Sequence, residues 1–99
     1  MRIDVTGRHF EITPAILERA EKKCEKLPKY YDGVQSIEVI VEQLPQDKFS
    51  VELRVDVEKH DTFVSSEQGD DLYLAIDSGV DKMVRQLTDF KDKLKNQKR

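Results

Sequence analysis

Few residues in this 99-residue chain have the type and spacing that chemistry requires. His9 and His60 stand apart, without the helical or paired spacing that suits metal ligation or acid–base work, and no glycine-rich loop offers to cradle a phosphate. Asp71, Asp77 and Asp81 group near a helix start, where Asp71 reads as a complement to the helix dipole and the other two as solvated surface. Cys24 is the single cysteine. It sits at helical spacing from Ala20 and Leu27, so it reads as a small core residue rather than a reactive thiol. One cysteine allows neither an intramolecular disulfide nor a cysteine-based zinc site, which fits a reducing compartment, the cytoplasm. The residues therefore predict no enzyme and no cofactor or metal.

What the sequence does offer is cations sorted by position. The net charge is −3, yet residues 82–99 hold seven basic and two acidic residues, +5, which leaves −8 for residues 1–81. On a helix turning ~100° per residue, Ile16, Ala20, Cys24 and Leu27 make one apolar stripe, while Arg19, Lys22, Lys23, Lys26 and Lys29 fall within an adjoining arc of roughly 120°. Glu18, Glu21 and Glu25 fall on a different arc. A helix that is only solvated intermixes signs to gain i,i+4 pairs, so this segregation points to an anionic partner. The last helix repeats the pattern: with its stripe set by Leu72, Met83 and Phe90, one flank carries Lys82, Arg85 and Lys93 and the other Lys91 and Lys95. Two such helices on one sheet face bring basic flanks together into a groove suited to a polyanion with a backbone, RNA or DNA. Tyr30 and Tyr31 stand at its edge, as stacking platforms or as core plugs.

The elements that must position these cations follow from periodicity. Ile3 and Val5 alternate with Arg2, Asp4 and Thr6 in a strand ending at Gly7. Thr13 can cap, and Pro14 can open, a helix predicted to run to about Leu27, where Pro28 ends it. Val34–Glu42 reads as a strand, Leu44-Pro45-Gln46-Asp47 as a turn, and the alternation of Phe49, Val51, Leu53, Val55 and Val57 with polar residues as a strand with one wet face. A turn near Lys59-His60-Asp61 leads to a short fourth strand, Thr62–Ser66. Gly69-Asp70 then breaks the chain and caps a long helix with Leu72, Ile76, Gly79, Val80, Met83, Leu87, Phe90 and Leu94 on its stripe.

The order β-α-β-β-β-α predicts an α+β fold: a four-stranded, largely antiparallel sheet with both helices packed on one face and the other face open to water or a partner. The length predicts one domain, residues 1–99, with a modest core. The free chain is expected to be a monomer. No apolar run has signal-peptide or membrane-spanning length, so no membrane partner is expected.

Several stretches, in order and through nearly the whole chain, resemble the ribosome hibernation promoting factor family: Ile3-Asp4-Val5-Thr6-Gly7, Glu11-Ile12-Thr13, Lys26-Leu27, Tyr30-Tyr31-Asp32, Asp71-Leu72-Tyr73-Leu74-Ala75-Ile76-Asp77 and Asp81-Lys82-Met83-Val84-Arg85-Gln86-Leu87. The resemblance implies a domain similar to double-stranded RNA-binding domains that occupies the mRNA and tRNA channel of the small ribosomal subunit. There it would contact ribosomal RNA through basic residues and keep ribosomes silent in stationary phase or stress. Carried over by position, those contacts fall on Lys23, Lys26, Lys82, Arg85, Lys91 and Lys93, and the basic arc of the first helix adds Lys22. Where relatives tend to have lysine, this chain has Asp89, in the middle of the Lys82, Arg85 and Lys93 flank. Either that part of the flank makes no phosphate contact or Lys93 compensates.

The ending Lys93-Leu94-Lys95-Asn96-Gln97-Lys98-Arg99 resembles the short form of the family that promotes inactive ribosome dimers, with ribosome modulation factor as helper. The alternative branch, ribosome-associated inhibitor A, silences single ribosomes without dimerisation. A reading from another class remains beside these, a protein-interaction module that uses the open sheet face or an edge strand.

Overall fold

The structure, a computed structural model, describes residues 1–97, and the chain runs β1 (Arg2–Arg8), α1 (Pro14–Cys24), a 3-10 turn (Leu27–Lys29), β2 (Val34–Leu44), β3 (Lys48–Val57), β4 (Phe63–Gly69) and α2 (Leu72–Gln97). Lys98 and Arg99, at the end of the Lys-rich run, lie outside the described residues. The strands form one sheet in the order β1-β2-β3-β4. β1 lies parallel to β2, with Ile3 opposite Ile37 and Val5 opposite Val39, and the other two pairings are antiparallel. A parallel pair needs a crossover, which α1 supplies. The expected α+β order and largely antiparallel sheet are therefore what the chain forms.

Its helix ends show where local chemistry decides. The Thr13 hydroxyl accepts from the Ile16 amide at 3.3 Å, and Pro14 takes the first helical position, where its missing N–H costs nothing. α1 stops at Cys24 rather than near Leu27. Pro28 has no N–H to continue the helix and crowds the residue before it, so the chain tightens into the 3-10 turn, which still buries Leu27 completely. The cap of α2 is Asp71, not Gly69-Asp70: its carboxylate accepts from the Leu74 amide at 3.2 Å. Three strands run beyond their periodic stretch because a paired neighbour carries them on, Arg8 opposite Glu42, Leu44 opposite Lys48 and Gly69 opposite Phe49.

One face of the sheet and both helices share a single apolar cluster. Ile16, Ala20, Cys24 and Leu27 pack from the α1 side, and Leu72, Ile76, Val80, Met83 and Leu87 from α2, over Ile37, Val39, Val41, Val51, Leu53 and Val55. Cys24 is fully enclosed, and burial pushes its thiol up to about 12, so it is the inert core residue its spacing implies. α2 lies especially close to the sheet at Gly79, where an added Cβ would sit 3.2 Å from the Leu53 side chain. There the buried Ser65 hydroxyl donates to the Gly79 carbonyl at 2.9 Å, fixing the height of α2 over β4. A Cβ on Gly7 would collide with the Phe10 carbonyl, because the chain turns back sharply through His9, whose φ is 51°.

The opposite sheet face is mostly polar, Ile40 and Val64 apart, and of mixed sign. Asp4, Glu38, Glu42, Glu52 and Asp56 share it with Arg2, Arg8, Lys48 and Arg54, and ion pairs join Arg2 to Asp4 at 2.6 Å and Arg54 to Glu52 at 2.7 Å. No helix among the described residues is long and apolar enough to cross a membrane.

Candidate nucleic-acid interface

Packing on a common face presents one flank of α2 to α1 and the other to the edge strand β4. The α1 side is organised around Asp77. Arg19 donates from Nε to Asp77 Oδ1 at 3.1 Å and from Nη2 to Oδ2 at 2.7 Å, a forked pair between the two helices, and Lys23 Nζ stands 3.9 Å from Oδ1. The hydrogen bonds from Arg19 hold the Asp77 carboxyl below the usual carboxylate range, against partial desolvation and with help from the charges of Arg19, Lys23 and Lys26. Asp77 is thus a half-buried tie between helices, not the solvated surface residue its sequence position suggests. The Arg19 guanidinium also lies 5.7 Å over the Tyr73 ring.

Seven residues make about two helical turns, so Lys91 stands two steps of seven beyond Asp77, on the same α1-facing flank, and Lys95 follows it. Lys22 points to the outer side of α1 and pairs with Glu18 at 3.0 Å. Lys23, Lys26 and Lys91 are therefore the expected contacts that the fold gathers toward the line between the helices, and Lys22 stands outside it.

Lys82 and Lys93 are not brought there. Lys82 reaches down to β4, 3.2 Å from Glu67 and donating to the Ser66 carbonyl at 3.1 Å. One turn on, Gln86 donates to the Val64 carbonyl at 2.9 Å. Both carbonyls belong to the edge strand, so α2 occupies hydrogen-bonding positions that another strand would otherwise use. Asp89 and Lys93 continue along this side, and Arg85 points outward between the two flanks. The anticipated single groove is thus two basic borders of one helix, separated by its outer surface. Periodicity gave the flanks but not which of them would face α1.

Pairing further divides the cations. Among the described residues, Lys26, Arg85, Lys91 and Lys93 have no carboxylate within ion-pair distance, whereas Lys22, Lys23 and Lys82 each have one. Of the aromatic candidates, Tyr31 is a plug, packed edge-on to Phe90 at 5.3 Å, and Tyr30 is exposed. Tyr73 is an exposed aromatic of the helical layer that the reading of the sequence missed. It is 39% exposed beside Arg19 and Lys22, and its position about 60° from Ile76 on the helical wheel would have revealed it.

Over residues 14–29 and 72–97, ten basic residues face seven acidic ones, so the helical layer is the positive side of an otherwise acidic chain. A small α+β domain with a basic helical layer over one sheet is the class that this arrangement defines. Residues 3–95 match the family described as Sigma 54 modulation protein / S30EA ribosomal protein, and the chain belongs to that family. It is similar to proteins named ribosome hibernation promoting factor from Klebsiella oxytoca (36% identical over 97 residues, 96% of this chain and 98% of that one) and Escherichia coli strain K12 (36% over 95 residues, 96% and 98%). Among solved structures it is similar to the N-terminal domain of Protein Y from Thermus thermophilus (TM-score 0.81, 34% identity, 91% of this chain and 99% of that one). It is also similar to a ribosomal subunit interface protein from Coxiella burnetii (TM-score 0.84, 28% identity, 93% and 99%).

Proposed function

We propose that this chain is a cytoplasmic ribosome hibernation factor that binds the small ribosomal subunit, with ribosomal RNA as its direct partner. Its family is one of ribosome-associated regulators rather than enzymes. The observation that carries the RNA contact is the positive helical layer, with Lys26, Arg85, Lys91 and Lys93 free of carboxylate partners among the described residues. Cations spread along two helices neutralise several phosphates of one backbone at once, and the released counterions supply most of the affinity. The side chains on this layer are chiefly Lys and Arg, which position on phosphate rather than read base edges, so specificity comes mainly from the shape of the RNA. Lys22, Lys23 and Lys82 join the contact after leaving Glu18, Asp77 and Glu67. Silencing is by occupancy: the domain fills the mRNA and tRNA channel and excludes both.

The alternative of strand addition at the β4 edge is weakened by Lys82 and Gln86, which already hold carbonyls of that strand. The test is co-sedimentation of the purified chain with isolated small subunits, with and without bound mRNA and tRNA. Near-stoichiometric binding that mRNA and tRNA displace is expected. Binding indifferent to them would remove the occupancy mechanism, and no preference for the subunit over free duplex RNA would remove the ribosome as target. Gradient profiles of whole ribosomes in the same experiment, with and without ribosome modulation factor, distinguish promotion of dimers from silencing of single ribosomes.

A further inference from the structure

Between the β3–β4 turn and the last turns of α2 lies a recess of about 470 Å³. His60, Phe63, Phe90 and Leu94 line it together with Gln86, Asp89 and Lys93. The aromatic walls hold one another in place. His60 stacks on Phe63 at 4.4 Å with the rings 6° from parallel, Phe90 meets these rings at 4.5 and 5.3 Å, and Tyr31 backs Phe90. An open slot with fixed aromatic walls suits a planar ring.

Asp89 is the informative residue. On a surface built only for phosphate, a carboxylate is repulsive and out of place. As a pair of acceptor oxygens facing a planar ring it has a different use, because the Watson–Crick edge of guanine presents two adjacent donors, N1–H and N2–H2. Adenine, cytosine and uracil each place an acceptor next to their donor on that edge, which a carboxylate opposes. Lys93 stands one helical turn beyond Asp89, placed to meet the phosphate beside such a base. Among the described residues the two make no ion pair with each other or with a neighbour, so both are available. Gln86, also at the recess, is already donating to the Val64 carbonyl.

We propose that this recess binds a single unpaired guanine of an RNA, stacked against the aromatic walls, with Asp89 accepting from N1–H and N2–H2 and Lys93 on the flanking phosphate. The inference rests on the RNA-binding reading above and adds base recognition to a surface otherwise made for backbone. It also gives Asp89 a role where lysine would serve a phosphate track.

The test is an NMR titration of the isotope-labelled full chain with two single-stranded RNA pentamers, UUGUU and UUAUU, alongside the Asp89→Asn variant. Expected are shifts centred on His60, Phe63, Asp89, Phe90 and Lys93, an affinity about tenfold higher for the guanine pentamer, and loss of that preference in Asp89→Asn. Equal binding of the two pentamers would overturn the proposal. So would a preference that survives in Asp89→Asn, or an equal gain for both pentamers in that variant, since the carboxylate would then only repel phosphate. Guanosine monophosphate binding more tightly than UUGUU would overturn it by making the occupant a free nucleotide. Co-sedimentation of the wild type with small subunits separates the levels. Subunit binding with no guanine preference removes the recess alone, while absent subunit binding removes the reading beneath it.

Discussion

The helical layer presents cations near both ends of α2, from α1 at its start and from α2 itself further along, and the two groups do different work. Near the start of α2, Arg19 and Lys23 converge on Asp77 and tie α1 to α2. Further along, Arg85, Lys91 and Lys93 stand without a carboxylate partner among the described residues. A paired cation must leave its carboxylate before it can meet a phosphate, so it adds less to affinity than an unpaired one of equal exposure. Lys82 makes the same point on the β4 side, where Glu67 and the Ser66 carbonyl compete for its ammonium. Counting lysines on a helix face therefore overstates the binding surface, and subtracting internal pairs sharpens it.

The sharpest way to break this comparison is charge reversal in the unpaired region. Arg85→Glu with Lys91→Glu is expected to weaken small-subunit binding by more than about a hundredfold, since two attractions become repulsions, with the thermal midpoint little changed because both side chains are exposed. Unchanged affinity would remove this region from the interface. Leu87→Ala, in the core beneath α2, is expected to cost about 3 kcal/mol in urea unfolding through the cavity it leaves. It should weaken binding only in proportion to the unfolded fraction, and a larger loss would mean that α2's position, not only its charges, is read by the partner.

Asp77→Asn tests the tied region and has two expected effects of opposite sense. It frees Arg19 and Lys23, so affinity for the subunit rises about two- to threefold, while calorimetry shows a lower thermal midpoint. The stability effect is pH-dependent. Because the folded Asp77 carboxyl titrates below its ordinary range, its contribution is present above the unfolded carboxylate pKa and is lost as pH falls through the lower folded value. The gap in midpoint between wild type and Asp77→Asn should thus be full near neutrality and close as pH drops below about 4. A gap that widens with acid would contradict the tie. The smallest effect is expected of Lys82→Gln, a loss of less than about threefold in affinity, because this ammonium is already engaged on β4. A larger loss than that of Lys91→Gln would reverse the ranking of paired and unpaired cations.

Periodicity made most of the fold legible. Alternation in Phe49–Val57 and the stripe from Leu72 through Leu87 each have one way to bury their apolar residues, and Thr13 and Pro14 mark a helix start by local chemistry alone. The basic arcs were legible for the same reason, since rotation fixes which side chains share a flank. What rotation cannot fix is the neighbour of each flank, which depends on how two helices settle on a sheet. Hence Asp77 read as surface when it is the carboxylate that α1 closes on, and Lys82 read as free when it is held by β4. That Asp71 is the cap is not legible in the sequence for a related reason: Asp70 and Asp71 are alike in type, and only the backbone path brings one carboxylate to the Leu74 amide.

The most direct measurement is small-subunit affinity across a salt series for the wild type and two double variants, Arg85→Ala with Lys91→Ala and Lys23→Ala with Lys82→Ala. Removing the unpaired cations should lower the slope of log affinity against log salt by about two, one for each phosphate left without its cation, and removing the paired cations should lower it by clearly less. Equal slopes in the two variants, or the greater reduction in the paired one, would contradict the claim that this protein meets RNA chiefly through the cations its own fold leaves unpaired.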